Sequence, residues 1–297
     1  MNIEEMVIGV SPAVKKLRKE ISRLSKLDRV LIVGEKGTGK SLVARAVYDS
    51  LRSKSELVIL NPLTSSDRML RESFTKPSTN STILIQEIEE FSFLSQGIIA
   101  QFIQGITKKT GIRCIVTTKR NINTLKKQGT ILPDLFSALK SFNDMEIPPL
   151  KERREDIPLL VEHFINNACE ATGKKIKVMD VNALDFLIRR EWQQNVLELK
   201  NVIEKAVLSS EGTDVELPEY LANEYAQLEG IVTNIKDNKA FSFDKSLSNI
   251  EKSLIEKTLQ AVGFNQTKAA DLLGIGSANL RYRLRKFKIP SSRKRNA

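Results

Sequence analysis

Cysteine and histidine are scarce in this sequence of 297 residues, which contains only Cys114, Cys169 and His163. Two cysteines and a lone histidine without ligand spacing exclude a disulfide framework and a Cys/His zinc site. Glycine and proline are also few, at 14 and 9 residues, which excludes a fibrous or low-complexity chain. What remains is a globular protein of about two domains.

Long hydrophobic runs are missing as well. No segment reaches the roughly 18 consecutive apolar residues that a membrane-spanning helix requires. The first five residues include two acidic residues, Glu4 and Glu5, and no basic one, unlike the basic start of a signal peptide. We therefore expect a soluble, cytoplasmic protein with no membrane partner.

Positive charge is concentrated at one end of the chain. The net charge is +11, and residues 263–297 carry nine lysines and arginines against one acidic residue, Asp271. Such a cluster is typical of a nucleic-acid-binding region. A solvated basic tail would account for residues 291–297, but not for the periodic apolar residues before them.

Hydrophobic periodicity divides the chain into four parts. Apolar runs at 30–33, 57–60, 83–85 and 114–116 predict buried strands, and segments 12–25, 41–51 and 94–106 predict helices. This alternation is typical of a parallel α/β sheet. Helical spacing alone follows at 157–171, 182–190 and 196–209. The predicted boundaries are 1–150 for the α/β part, 151–225 for a helical subdomain, 226–245 for a polar linker and 246–297 for a second helical domain.

A glycine-rich segment follows the first predicted strand. It reads Gly34-Glu35-Lys36-Gly37-Thr38-Gly39-Lys40-Ser41 and fits the phosphate-binding pattern G-x-x-x-x-G-K-[ST], between a strand and a helix as the pattern requires. We expect its backbone amides to hold the phosphates of ATP or ADP. Lys40 would reach the β- and γ-phosphates, and the Ser41 hydroxyl would bind Mg²⁺ together with the nucleotide.

The strand at 83–85 ends in Gln86 and Glu87. Two acids at such a strand end usually supply a magnesium-associated carboxylate and a base that orients water. Glu87 is the candidate base, whereas the neutral amide of Gln86 binds Mg²⁺ less well than a carboxylate. A polar strand end without catalytic function is the alternative interpretation.

The basic end of the chain has the pattern of a helix-turn-helix. A helix at 247–262 with a long apolar stripe is followed by a short helix at 267–273 capped by Thr267. A glycine turn at 274–276 then leads into a basic helix at 277–287 capped by Ser277. The stripe is longer than one such unit can cover, which predicts a dimer. A helical hairpin with a charged outer face is the alternative.

In helix-turn-helix proteins the last helix enters the major groove of double-stranded DNA. Ser277 and Asn279, in its first turn, are the candidate base readers, and Leu272, Leu280 and Leu284 are expected in the core. The expected guanine or phosphate contacts are Arg281 and Arg283, and the expected phosphate clamps are Arg285, Lys286 and Lys288.

Residues 6–210 resemble the AAA+ module of bacterial enhancer-binding proteins, the NtrC-like activators of sigma-54 RNA polymerase. The resemblance is carried by segments 147–160, 191–199 and 201–204, and residues 265–287 are similar to the Fis-type helix-turn-helix of the same activators. It implies a P-loop α/β domain with a helical lid, followed by an all-α DNA-binding domain. It also implies that Ile8 and Gly9 pack on adenine, that Asn61 holds the catalytic Glu87 between turnovers, and that the AAA+ module forms a higher oligomer.

The chain departs from this family at several functional positions. Only eight residues, 75–82, separate Phe74 from Ile83, so the GAFTGA loop that contacts sigma-54 is absent. Leu132 and Ala138 stand where arginine fingers are expected, the sensor I segment 117–120 lacks its asparagine, and sensor II is Leu197. We therefore expect nucleotide binding with weak or lost hydrolysis, and no contact with RNA polymerase through this loop.

Three functions fit these observations. The favoured one is a sequence-specific DNA-binding transcriptional regulator whose AAA+ module binds ATP or ADP. The second is an ATP-hydrolysing activator of sigma-54 RNA polymerase, which the missing loop argues against. The third is a structural DNA organiser that uses the AAA+ body as a scaffold.

Overall fold

The computed structural model describes residues 3–50, 56–75, 81–106, 111–175, 178–211, 214–218, 221 and 243–290. The chain separates into two compact units, residues 1–222 and residues 223–297. The first unit holds the α/β part and the helical subdomain, and the second holds the basic helices.

A parallel sheet forms the centre of the first unit. Its strands are β1 (Arg29–Val33), β2 (Leu57–Leu60), β3 (Thr82–Ile85), β4 (Arg113–Thr118) and β5 (Asn143–Glu146). Their order across the sheet is β2-β3-β4-β1-β5, and every pair is parallel. The predicted parallel α/β architecture is therefore confirmed. Strand β5 was not predicted, because it is a polar edge strand in which only Met145 is buried.

Helices cover both faces of this sheet. They are α1 (Ile3–Met6), α2 (Pro12–Leu24), α3 (Lys40–Asp49), α4 (Asp67–Thr75), α5 (Phe93–Gly105), α6 (Ile122–Lys127) and α7 (Pro133–Leu139). Side chains alternate along each strand, so Leu31 and Val33 pack with α5 and α7. Val30 and Ile32 pack on the other face with α2 and α3. The carboxyl ends of the strands meet at one edge of the sheet, which is where the functional side chains collect.

The helical subdomain follows in the same unit. Its elements are α8 (Ile157–Thr172), β6 (Val178–Met179), α9 (Val181–Arg189), α10 (Asn195–Ser209) and β7 (Asp214–Val215). The three predicted helices agree with α8, α9 and α10 to within one residue at each end. Helix α8 ends at Gly173, whose left-handed backbone stops the helix. Two 3₁₀ turns, Leu150–Glu152 and Arg154–Asp156, connect β5 to α8.

The second unit contains α11 (Phe243–Ala261), α12 (Gln266–Leu272) and α13 (Ser277–Lys286). Helix α11 begins at Phe243, so the last three residues of the predicted linker are helical, and residues 226–242 lie outside the described residues. Two predicted caps were wrong. The side chain of Asn265, rather than that of Thr267, caps α12 by accepting from the Lys268 amide, and Gly276 precedes α13 without a side-chain cap.

The core of the second unit is small. Ile255 and Leu259 of α11 pack with Leu280 and Leu284 of α13. Leu272, which was predicted in this core, is instead 69% exposed because it is the last residue of α12. Among the helices of the described ranges, none is long and apolar enough to cross a membrane.

Candidate nucleotide and DNA sites

The glycine-rich loop lies between β1 and α3, as predicted. The ammonium group of Lys40 is buried and donates to the carbonyl oxygens of Gly34 (2.9 Å) and Glu35 (3.1 Å). Gly37 has a φ of 77°, and a Cβ at this position would lie 2.0 Å from the carbonyl oxygen of Gln194. The loop backbone therefore surrounds the ammonium group of Lys40, and Gln194 of the lid packs directly on Gly37.

A cavity of about 700 Å³ opens beside this loop. It is lined by the loop residues Gly37, Thr38, Gly39, Lys40 and Ser41, by the N-terminal residues Glu5, Met6, Val7 and Ile8, and by lid residues that include His163, Val196, Leu197 and Lys200. The structure thus brings Ile8 together with five of the predicted loop residues. The other three, Gly34, Glu35 and Lys36, line a neighbouring polar cleft instead.

Gly9 lies behind the cavity rather than in its lining. A Cβ on Gly9 would lie 2.6 Å from the carboxyl group of Asp156, which is fully buried. Asp156 accepts from the amides of Val10 (2.7 Å) and Ser11 (2.8 Å) and from the Ser11 hydroxyl (2.7 Å). The glycine is needed for this close approach, and the carboxylate fixes the N-terminal wall of the cavity to the start of the lid.

Asn61 was predicted to hold Glu87, but the structure pairs it with Gln86. The Asn61 side chain accepts from the Leu63 amide (2.8 Å) and donates to Gln86 Oε1 (3.3 Å). Gln86 Nε2 in turn donates to the Ser41 hydroxyl (3.1 Å). An N–H group therefore faces the oxygen that was predicted to bind Mg²⁺.

Glu87 follows β3 and has a left-handed backbone, with a φ of 50°. Its amide donates to the hydroxyl of Thr117 (3.0 Å), a residue of the sensor I segment. Its carboxylate oxygens lie 3.1 Å from Lys40 Nζ and 3.4 Å from Lys119 Nζ. Burial lowers the pKa of Lys119, but the hydrogen bond to Glu90 and the charge of Glu87 together raise it by more. The pKa of Lys119 is therefore above that of an ordinary lysine. The candidate base is thus held between two cations.

The positions of the expected arginine fingers contribute to the core. The side chain of Leu132 packs against the hydrophobic cluster of α5 and α7, and its amide donates to Gln96 Oε1 (2.9 Å). Ala138 is 8% exposed and belongs to the same cluster. Leu197, at the sensor II position, is 41% exposed, and its backbone amide donates to the Gly37 carbonyl (3.2 Å).

Sequence reasoning missed Asn195. This buried residue begins α10 with a φ of 51°. Its amide group donates to Glu35 Oε2 (3.2 Å) and to the carbonyl of Lys36 (3.0 Å), and its oxygen accepts from the Leu150 amide (2.7 Å). One side chain therefore joins the phosphate-binding loop to the lid. A non-glycine residue at a helix start gives no sequence signal for such a role.

Arg153 was also missed. It is 5% exposed and lines the cavity, where its guanidinium donates to the carbonyl of Thr38 (3.0 Å). Its Nε has no hydrogen-bond partner within the described ranges. Burial lowers the pKa of Arg153, although the charge of Asp156 raises it in part. The arginine remains a cation, so it adds positive charge to the cavity wall.

The predicted DNA-contacting residues lie on or just after α13. Most of them are exposed: Ser277, Asn279, Arg281, Arg285, Lys286 and Lys288. Arg281, Arg285 and Lys288 line one shallow pocket, which places three cations on one face of the unit. Such a face suits a run of phosphates.

Arg283 is the exception among these residues. It is half-buried and pairs with Glu251 of α11, and it also donates to the side chain of Asn279. Arg283 is therefore committed to contacts inside the unit, and it orients Asn279 on the helix surface. The charged partner was not visible in the sequence because it lies 32 residues away.

Comparison with known proteins assigns these regions to three families. Residues 8–150 match the sigma-54 interaction domain, residues 151–230 match the AAA+ ATPase lid domain, and residues 246–287 match the Fis family of bacterial regulatory proteins. The match to the sigma-54 interaction domain includes the short segment 75–82.

Whole-chain relatives agree. The DNA-binding transcriptional regulator NtrC of Azospirillum brasilense is 34% identical, over 95% of this chain and 69% of the relative. The transcriptional regulatory protein ZraR of Salmonella typhimurium is 33% identical, over 91% of this chain and 66% of the relative. The chain thus spans about two thirds of the length of these relatives.

Solved structures of NtrX from Brucella abortus are also similar. The complexes with ADP and ATP each give a TM-score of 0.64, with 25% and 26% sequence identity, and cover 95% of this chain and 69% of theirs. The resemblance seen in the sequence is therefore confirmed. The chain belongs to the bacterial enhancer-binding proteins, a family of transcriptional regulators that combine a sigma-54 interaction AAA+ module with a Fis-type DNA-binding domain.

Proposed function

We propose that this regulator binds ATP or ADP and hydrolyses ATP slowly or not at all. The observation that carries the proposal is that partly buried Leu132 packs against the core and Ala138 lies within it, at both positions where arginine fingers are expected. An arginine finger contributes about 10³–10⁵-fold to hydrolysis in enzymes of this chemistry. Nucleotide would then control the shape or the assembly of the protein.

The surroundings of Glu87 support the same proposal. A base must accept a proton or orient water in the transition state, and a carboxylate paired with Lys40 and Lys119 is poorly placed for that task. A lysine could in principle supply the positive charge of the missing arginine, but Lys119 is engaged by Glu87 and Glu90 of its own chain. Lys140 lies over the ring of Phe136.

Steady-state phosphate release tests this proposal on the full chain. We expect turnover far below the ordinary value of about 1 s⁻¹ or more, while calorimetry detects ADP binding. Turnover at the ordinary rate would overturn the impairment and favour the second candidate function, an ATP-hydrolysing activator of sigma-54 RNA polymerase. The intact P-loop and the retained Glu87 are the observations that favour this candidate.

The proposed regulator does not contact RNA polymerase through the GAFTGA loop of its family. Segment 75–82 has only eight residues and does not contain the GAFTGA sequence. We therefore expect no stimulation of open-complex formation in a transcription assay from a sigma-54 promoter. Robust ATP-dependent transcripts would refute this part of the proposal.

The C-terminal unit supplies the DNA contact. We expect residues 244–297 to bind double-stranded DNA as a dimer in the cytoplasm, with recognition helices about one helical turn apart. The exposure of Leu254 on α11, at 56%, supports pairing through this helix. Footprinting separates a site-specific regulator from a structural DNA organiser, since only the regulator protects a defined site.

A further inference from the structure

The group predicted to accompany the nucleotide is Mg²⁺, and the residues at its predicted position are Ser41 and Gln86. Magnesium requires oxygen ligands at about 2.0–2.1 Å in a nearly octahedral arrangement, usually one or two carboxylates together with phosphates and waters. The hydroxyl of Ser41 is such an oxygen. Its neighbour is Gln86 Nε2, at 3.1 Å, which is a hydrogen-bond donor. A donor nitrogen beside the ligand oxygen repels a cation, so the two residues do not fit Mg²⁺.

The orientation of the Gln86 amide is fixed by its other partners. The Leu63 amide donates to Asn61 Oδ1 (2.8 Å), which leaves the Asn61 NH₂ group to donate to Gln86 Oε1 (3.3 Å). Turning the Gln86 amide would place two NH₂ groups against each other. Turning Asn61 as well would deprive the Leu63 amide of its acceptor. The chain of hydrogen bonds therefore keeps an N–H group pointed at Ser41.

Glu87 does not replace the missing carboxylate. One of its oxygens lies 3.1 Å from Lys40 Nζ and the other 3.4 Å from Lys119 Nζ. Binding a metal ion through Glu87 would leave the buried Lys40 without this counter-charge. The carboxylate that this strand end normally offers to Mg²⁺ is thus absent by substitution, and the remaining acid, Glu87, is paired with lysines.

Positive charge in the cavity is available from the protein itself. Lys40 and Arg153 line it and are 6% and 5% exposed, and Lys200 lines it from the lid. Cations held in a poorly solvated wall interact more strongly with phosphate than cations in water. Glu5 and Glu87 also line the cavity, so its charged side chains leave one net positive charge, which neutralises part of the charge of a diphosphate without a bound metal.

We propose that this protein binds ADP and ATP without Mg²⁺, with the Asn61–Gln86–Ser41 hydrogen bonds occupying the metal position. This inference rests on the nucleotide binding stated under the proposed function. It specifies that the ligand of the cavity is the metal-free nucleotide.

The test is calorimetric titration of the full chain with ADP and with ATP, once in magnesium chloride and once in EDTA. We expect dissociation constants that agree within about threefold, a difference smaller than the tenfold that corresponds to 1.4 kcal/mol. A loss of tenfold or more in EDTA would overturn the inference and leave the proposed function intact. No binding in either buffer would overturn both.

The variant Gln86→Asp restores a carboxylate at the metal position. We expect its nucleotide affinity to become at least about tenfold tighter in magnesium than in EDTA. Gln101→Asp, on the exposed face of α5, adds the same charge elsewhere and should behave as the wild type. A Gln86→Asp protein whose nucleotide affinity is the same in magnesium and in EDTA would contradict the proposal that Gln86 excludes the metal.

A second variant, Asn61→Asp, tests the same proposal in case Gln86→Asp does not fold. Asn61→Asp keeps an acceptor for the Leu63 amide but places a carboxylate oxygen against Gln86 Oε1. The Gln86 amide should then turn its oxygen toward Ser41, which creates a magnesium dependence larger than the roughly threefold agreement expected for the wild type. An Asn61→Asp protein with equal affinity in both buffers would show that the hydrogen bonds do not exclude the metal.

Discussion

Charged side chains of the nucleotide cavity are paired within the protein, whereas those on the basic face of the DNA-binding unit are exposed to solvent. In the cavity, Glu87 is paired with lysines and Gln86 with neutral polar groups. On the C-terminal unit, Arg281 and Arg285 are exposed and available to an outside ligand. The basic face therefore leaves its cations exposed, whereas the polar side chains at the end of β3 are engaged by residues of the same chain.

The difference has a simple physical basis. A phosphate clamp needs only exposed positive charge, which tolerates changes in its neighbours. Hydrolysis requires several groups placed within a fraction of an ångström around one transition state. In the proposed function, Gln86, Leu132 and Ala138 stand in place of catalytic groups, and the fold tolerates them because each of the three side chains has partners in the folded chain.

The largest expected effect is a loss of stability that is confined to the second unit. Leu280→Ala empties a fully buried position in the small core of the second unit, which should cost about 2–5 kcal/mol and abolish DNA binding. ADP binding by the first unit should persist, and calorimetry together with a DNA mobility shift measures both. The matched control is Leu272→Ala, at a 69% exposed leucine, which should stay within about 0.5 kcal/mol. Equal losses in the two variants would show that this core is wrongly assigned.

The next effect concerns the cavity alone. Lys40→Ala removes the buried ammonium group of the phosphate-binding loop. A hydrogen bond to a charged group contributes about 1.5–3 kcal/mol, so ADP affinity should fall by roughly 10- to 100-fold, as measured by calorimetry. Lys36→Ala, at an exposed lysine of the same loop, is the control and should change affinity little. If both variants bound ADP equally well, Lys40 would not contact the phosphates.

A third comparison lies within the DNA-binding unit. Asn279→Ala should lower affinity for a cognate site by about 1–3 kcal/mol and leave non-specific binding nearly unchanged, because a base edge loses its partner. Arg285→Ala should weaken binding to all DNA and reduce the salt slope by about one unit. Mobility shifts on cognate and scrambled DNA at several salt concentrations distinguish these results. The same loss on both DNAs from both variants would contradict the division into reader and clamp.

The smallest effect tests Glu89, a partly buried acid two residues after Glu87. Burial raises the pKa of Glu89 above its ordinary value of 4.5, although backbone hydrogen bonds oppose the shift. The folded protein therefore holds this proton more tightly than the unfolded chain, and the contribution of Glu89 to stability falls as pH rises from 4.5 through its folded-state pKa. Glu89→Gln should remove this part of the pH dependence and change stability by at most about 1 kcal/mol. Urea unfolding at several pH values measures it; an unchanged slope would exclude Glu89 as the cause.

Local patterns made most of the fold predictable. The run at 30–33 is apolar throughout, because strand β1 is covered on both faces, and its boundaries were predicted to one residue. Strand β5 was missed, because three of its four side chains are exposed at the edge of the sheet. A strand of that composition owes its existence to pairing with β1, and such pairing leaves no trace in the sequence.

The candidate site was predictable where its residues are neighbours in the chain. The phosphate-binding loop is one continuous segment, so its spacing alone was informative. The contacts of Asp156 and Asn195 reach across 145 and 160 residues, and no local pattern indicates them. The pairing of Asn61 with Gln86 rather than Glu87 depends on side-chain geometry at two strand ends, which the spacing of the residues does not determine.

Two buried polar side chains tie the lid to the cavity wall. Asp156 precedes α8 and holds the backbone of Val10 and Ser11, and Asn195 begins α10 and holds the phosphate-binding loop. A ligand that shifts this wall changes the free energy of the lid's orientation, and the lid changes the ligand's affinity by the same amount. Under the proposed function, filling or emptying the cavity would bias the lid. The protein would then sense the occupancy of the cavity and would need no bond cleavage to reset.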